Sequence, residues 1–223
     1  MVQVFSRVRG ALLAGACAVV LSGCAGNVAP EVKRLPERVE LSGTFYRGEA
    51  NQSGPQVLAS LLSQQGIVIT PGLLEKPLHL PGAEDKLQQN MQNLAREYGL
   101  VVYPLDSKLP ALLTQVAAGY PVMVRFSEGS AFWAEPRYAI LSGYDRNKQK
   151  VLLRAGMNRR QLMDFASFES ALEKAGGWAI LIQKPAQIPA AVDRSRWLKA
   201  ADELAQAGEE NAAAQARKAL AAQ

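Results

Sequence analysis

The chain has 223 residues, 48% of them hydrophobic and 20% charged, with 25 basic against 20 acidic residues and a formal charge of +5. That length allows one domain of ordinary size with appendages, and the mixture is that of a packed protein rather than a disordered one. The charge is too mild, and too free of aromatic-interleaved basic stripes, for a nucleic-acid binder. Only two cysteines are present, Cys17 and Cys24.

Residues 1–23 read as a secretory signal, with Arg7 and Arg9 preceding an apolar run from Ala11 to Val20 and then small residues. The run is too short to span a bilayer comfortably. Leu21-Ser22-Gly23-Cys24 matches a bacterial lipobox, in which Cys24 carries lipid and becomes the mature N-terminus. An ordinary signal or short anchor with an incidental cysteine is the alternative. Ala25 stands where an aspartate would argue for retention in the inner membrane. The expectation is therefore an outer-membrane lipoprotein of a Gram-negative bacterium, facing the periplasm. Processing removes Cys17 and both signal arginines, leaving 23 basic against 20 acidic residues, or +3, and no free thiol.

Residues 24–40 are polar and contain prolines, which suggests a tether. Phe45-Tyr46 then leads through a polar loop to Gln52-Ser53-Gly54-Pro55, where an apolar helix departs. Ser53 is expected as its N-cap and Pro55 in its first turn. Val57, Leu58, Leu61 and Leu62 form one apolar stripe, and the helix should end near Gly66. Pro71-Gly72 signals a turn and Glu75–Gly82 an irregular loop. Residues 83–98 predict a helix with Leu87, Met91, Leu94 and Tyr98 on one face and Gly99 as its stop. A short strand over Leu100–Leu105 and a helix over Leu109–Ala118 follow.

From there the pattern turns to strands: Pro121–Phe126, Tyr138–Tyr144, Lys150–Arg154 and Gln161–Phe165, with a hairpin turn at residues 145–148. A helix over Ser167–Lys174 with Ser167 as N-cap and a closing strand over Trp178–Ile182 complete an α+β domain over residues 41–184. Residues 185–195 read as a linker. Residues 196–223 read as a helical hairpin resembling one tetratricopeptide repeat, which cannot bury its own face and must pack on the domain or a partner.

Gln52-Ser53-Gly54-Pro55-Gln56-Val57-Leu58-Ala59 resembles the nucleophile block of the bacteriocin-processing, double-glycine peptidase-like family, in which a cysteine stands at the position of Ser53. Tyr138-Ala139-Ile140-Leu141-Ser142-Gly143-Tyr144-Asp145 is similar to the block that follows that family's histidine. Leu80-Pro81-Gly82, the segment Tyr98–Leu105 and Ala117–Val122 fall between them in the expected order. The resemblance covers residues 41–182 and implies a papain-like cysteine peptidase fold.

Cysteine-peptidase chemistry needs a thiolate, a histidine, a group that orients it and an oxyanion donor. The resemblance places Ser53 at the nucleophile, Arg137 at the histidine and Gly48 at the oxyanion glutamine, and no carboxylate lies near residues 154–156 for the third member. Arginine cannot accept a serine proton. The one histidine, His79, would have to cross the groove and meet Glu49, Glu84 or Asp85 to act as base. No catalytic residues are therefore expected. The resemblance implies a peptide-binding groove at Gln52, Ser53, Trp133, Arg137 and Tyr138, with Phe132 beside it. Arg137 could hold a carboxylate or peptide carbonyl there, or pair with Glu135 or Asp145 on the surface. The aromatics could equally be core, and the basic turn Met157–Arg160 a solvated face. No metal or cofactor motif is present.

The function expected is thus a catalytically inactive, peptidase-like lipoprotein binding a peptide or protein partner at the envelope, associated with secretion. Two alternatives stand beside it. One is an active peptidase or residual serine hydrolase of the same family; the other is a scaffold working through its C-terminal helices.

Overall fold

The computed structural model describes residues 29–49, 52–130 and 133–223. The expected signal and lipobox with Cys24 and Ala25, Phe132 and the Trp133 side chain lie outside the described residues.

The chain builds one antiparallel sheet from β1 (Arg38–Glu40), β2 (Val101–Pro104), β3 (Val122–Ser130), β4 (Trp133–Asp145), β5 (Lys150–Ala155), β6 (Asn158–Asp164) and β7 (Ala179–Gln183). The strand order is β2-β7-β3-β4-β5-β6, and β1 adds to β4. Helices α2 (Ser53–Gln64), α3 (Pro71–Leu74) and α4 (Leu87–Glu97) cover one face. Helices α1 (Pro30–Lys33), α5 (Leu109–Ala117), α6 (Phe165–Lys174), α7 (Arg194–Gln206) and α8 (Glu210–Ala221) bury their apolar sides with the other. Because side chains alternate along a strand, Ile180 and Ile182 of β7 join the α2 side while Ala179 and Leu181 join the α5 side. Covering on both faces explains why β2 and β7 read as unbroken apolar runs. No helix among the described residues is long and apolar enough to cross a membrane.

The helix boundaries follow the apolar periodicity, with corrections. Ser53 is the first helical residue of α2, not its N-cap, which is Gln52. Pro71-Gly72 opens the short helix α3 rather than a bare turn. Leu87, Met91 and Leu94 of α4 are buried, but Tyr98 falls past the helix end and is 39% exposed. Helix α6 begins at Phe165 behind Asp164, two residues before the expected cap Ser167. Strand β4 runs 13 residues, from Trp133, because its first part pairs with β3 in a ladder of nine residue pairs.

The segment expected as a tether is folded from residue 29 onward. Val32 is buried in the α5-side core, and β1 pairs Glu40 with Gly143, Val39 with Tyr144 and Arg38 with Asp145. This pairing needs glycine at 143: a Cβ there would lie 2.4 Å from the Val39 carbonyl oxygen. Gly143→Ala is expected to push β1 off β4 and lower stability by about 1–3 kcal/mol, read from the urea midpoint. An unchanged midpoint would show that β1 accommodates the methyl group.

Residues 185–195, expected as a linker, are likewise held. Gln115 donates to the Ala190 carbonyl at 2.8 Å and accepts the Ala190 N–H at 3.0 Å, and the Asp193 N–H bonds the Tyr103 hydroxyl at 3.0 Å. Asp193 accepts the Arg196 N–H at 2.9 Å and so caps α7. The α7–α8 hairpin then docks on the domain through Trp197, which is fully buried. The Trp197 ring sits 5.9 Å from that of Tyr103, and its indole N–H donates to the Ala216 carbonyl at 2.9 Å.

Candidate functional site

The N-terminus of α2 abuts an open edge of β4. Strand β5 pairs with β4 only as far as Ile140–Arg154, so the backbone of β4 beyond that point has no strand on its β5 side. Tyr138 lies in this gap, and its N–H donates to Ser53 Oγ at 3.1 Å. Ser53 is 5% exposed. A buried N–H left without a strand partner needs an acceptor, and the serine hydroxyl supplies one. The structure therefore brings together the two blocks in which the family resemblance was read.

A strap over residues 41–49 closes the site against α2. The Leu41 N–H bonds the Ser142 carbonyl at 2.8 Å, and the Tyr46 hydroxyl donates to the Ile69 carbonyl at 2.8 Å. The Tyr46 N–H reaches Ser60 Oγ at 3.3 Å, and the Gly48 N–H reaches the Gly156 carbonyl at 3.4 Å at the end of β5. The strap needs Gly48, because the carboxamide of Gln56 occupies the space where a side chain would start: a Cβ on Gly48 would lie 1.8 Å from Gln56 Nε2. Gln56 is buried. Its Nε2 donates to the Glu49 carbonyl at 3.4 Å, while Oε1 has no hydrogen-bond partner among the described residues.

Arg137, at the histidine position of the resemblance, is held along the β3–β4 arm. Its Nε lies 3.3 Å from Glu128 and its terminal nitrogen donates to Glu135 at 3.1 Å. The pairing with Glu135 was among the surface partners expected; Asp145 instead accepts the Lys148 N–H in the β4–β5 turn. Glu128 also accepts from Gln161 of β6 at 2.9 Å, so the arm curls toward β6. Ser53 and Arg137 are thus close in the fold, with the arginine engaged by two carboxylates.

Tyr138 contributes its backbone, not an open aromatic wall. Its ring is buried with Ile140 and Ile180 on the α2 side and stands edge-on to Trp178 at 5.6 Å. Burial pushes its hydroxyl pKa up, and nearby Arg125 opposes that shift. Gln52 is exposed at the helix start. His79 is exposed in its loop at a φ of 60°, where it makes no hydrogen bond to Ser53. Asn90 of α4 pins that loop by donating to the Leu78 carbonyl at 3.1 Å.

At the end of β5, where the third catalytic member was sought, stands Arg154. It is 5% exposed and donates to the Leu41 carbonyl of the strap. Burial lowers its pKa first and the charge of Arg159 second, with Glu40 acting the other way. Its second terminal nitrogen has no partner among the described residues and lies beside Gln64 near Gly43. A flipped Gln64 carboxamide would bring an acceptor to it. Sequence reading missed Gln56 and Arg154. A polar residue three places after a helix start, amid an apolar stripe, is the signal that could have marked Gln56. Among the described residues no group of three His, Cys, Asp or Glu side chains is placed to hold a metal.

No family model matches the chain, and no curated protein matches it. Among solved structures it is similar to a C39-like peptidase from Bacillus anthracis, at 16% identity and a TM-score of 0.52, covering 67% of this chain and 98% of that one. It is also similar to a double glycine motif protease from an AMS/PCAT transporter in complex with the leader peptide. That match has 12% identity and a TM-score of 0.46, covering 65% of this chain and 94% of the other. The chain has the α+β, papain-like fold of C39-like peptidases.

Proposed function

On this peptidase fold we propose a binding protein without turnover, which holds an extended peptide or flexible protein segment at the groove beside Ser53. The observation that carries the reading is the state of Ser53. Its oxygen accepts the Tyr138 N–H, and among the described residues no imidazole or carboxylate bonds to it. A serine hydroxyl without a proton acceptor is a poor nucleophile. Arg137, engaged by Glu128 and Glu135, cannot take that role. The guanidinium of Arg137, partly exposed beside this edge, is instead a group that recognises peptide C=O. The lipobox at Cys24 supports an outer-membrane anchor and a periplasmic site of action, and a secretion-associated segment fits that location.

The test uses double-glycine peptides with the purified protein. No cleavage is expected, and a photoreactive residue at position 137 should crosslink the peptide. Ser53→Ala should leave peptide affinity unchanged while lowering stability by about 1–3 kcal/mol, because the Tyr138 N–H loses its buried acceptor. Turnover by the wild type that Ser53→Ala abolishes would overturn the proposal, as would covalent labelling of Ser53 by a fluorophosphonate.

A further inference from the structure

The end of the molecule where the chain enters the fold is basic. Lys33 ends α1 and Arg34 follows it, and Arg146 of the β4–β5 turn donates to the Lys33 carbonyl, which places Lys148 of the same turn near this segment. The turn is fastened further by the Arg146 N–H to the Glu37 carbonyl at 2.8 Å and by Asn147 to the Glu37 carboxylate. Several charges here are already matched. Glu40 takes Arg160 at 2.7 Å and Arg38 at 3.2 Å, and Lys150 takes Asp164 at 2.9 Å. Asp145 accepts the neutral Lys148 N–H and keeps its charge. Lys33, Arg34 and Lys148 are exposed and have no carboxylate partner among the described residues; with Arg146 they make four cations against Glu31, Glu37 and Asp145.

Distance decides what these three cations meet. From Cys24 to Ala29 there are five residue steps, which reach at most about 17 Å when fully extended. Lys33 and Arg34 stand one helical turn further on. If lipid is attached at Cys24, this end cannot leave the neighbourhood of the head groups, where anionic lipid attracts each exposed cation by about 1 kcal/mol.

We infer that Lys33, Arg34 and Lys148 form a docking face for the anionic phospholipid head groups of the membrane that holds the anchor, so that the Ser53 groove opens away from the bilayer. The inference rests on the lipoprotein reading of Cys24. Its second half follows from β4: Asp145 lies at the docking end and Tyr138, bonded to Ser53, lies seven residues along the strand, about 23 Å away. The arm formed by β3 and β4 extends further still in that direction. A domain tethered on so short a lead and drawn down by its own charges would present the groove in one orientation.

The test uses the mature protein purified from cells, its N-terminal peptide weighed for acyl groups, and reconstituted into phosphatidylcholine vesicles with or without phosphatidylglycerol. Amine acylation is followed at each lysine. Lys33 and Lys148 should react about fivefold more slowly in the anionic vesicles, and the protection should vanish in about 0.5 M salt. Lys199 and Lys218, exposed on α7 and α8, are the comparison lysines and should not change. Arg34→Gln should return most of the lost reactivity at Lys33. Equal labelling in both vesicles overturns the docking face, and so does protection at Lys199 and Lys218 in its place. A Cys24 without acyl groups overturns it by a separate route, through the anchor on which it rests.

Discussion

Trp197→Ala is expected to lower the stability of the whole domain by about 3–5 kcal/mol, the usual range for emptying a large aromatic site. Trp197 is fully buried, belongs to the same core as β3, β4, α5 and α6, and packs on Tyr103 of β2. The substitution also strips the Ala216 carbonyl of its buried donor. Because most domains have only 5–15 kcal/mol in hand, the melting transition should fall by many degrees and stay single. Two separate transitions, with the sheet unaffected, would mean that the hairpin is an independent appendage. The same packing governs any truncation: removing residues 196–223 would uncover the α5-side core, so loss of partner capture in such a deletion would report unfolding. Point changes on exposed hairpin residues such as Leu198, 41% exposed, are the cleaner probe of a scaffold role.

The double variant Ser53→Cys with Arg137→His is expected to show no cleavage of double-glycine peptides. By the resemblance read in the sequence, it would supply two of four catalytic roles. The oxyanion glutamine is still missing, and loss of one such donor costs about a hundredfold to a thousandfold in rate. The orienting carboxylate is missing too, its place at the end of β5 taken by the Arg154 cation, and a wrongly held imidazole loses about ten-thousandfold. Adding Gly48→Gln alone should misfold the strap, since even a Cβ would overlap the Gln56 carboxamide at 1.8 Å. Gln56→Ala is therefore required alongside it. A peptide mass-spectrometric assay decides the matter, and turnover by the double variant would show that the site keeps catalytic machinery supplied by other residues.

Much of the architecture was legible because it is written in apolar spacing. The stripe Val57, Leu58, Leu61 and Leu62 predicted α2, and Leu87, Met91 and Leu94 predicted α4; all seven are buried. The short β-rich segments after Pro121 declared an antiparallel set. What was not legible depends on contacts distant in sequence. Residues 29–40 look like a tether by composition, yet β1 is held by a ladder to residues more than a hundred positions away. Residues 185–195 look like a linker, yet Gln115 reaches over to secure Ala190. At the site, the two blocks named Ser53 and Tyr138, which the fold joins through the Tyr138 N–H and the serine hydroxyl. Periodicity is blind to a side chain filling a neighbour's vacancy, so Gln56 in the space above Gly48 came only from the fold. For the same reason Tyr138 could be named without knowing that its ring turns inward.

The main strand path of the sheet ends in β2 and β6, and their chemistry bears on how the protein behaves at high concentration. Strand β2 is four residues long and closes on Pro104, which has no N–H to offer a neighbouring molecule. Strand β6 exposes Arg159, Arg160 and Leu162, so an approaching copy of the same flank meets like charge before it meets the leucine. These two guards oppose edge-to-edge pairing between copies at high concentration, with Arg159 the β6 cation left over once Glu40 has taken Arg160.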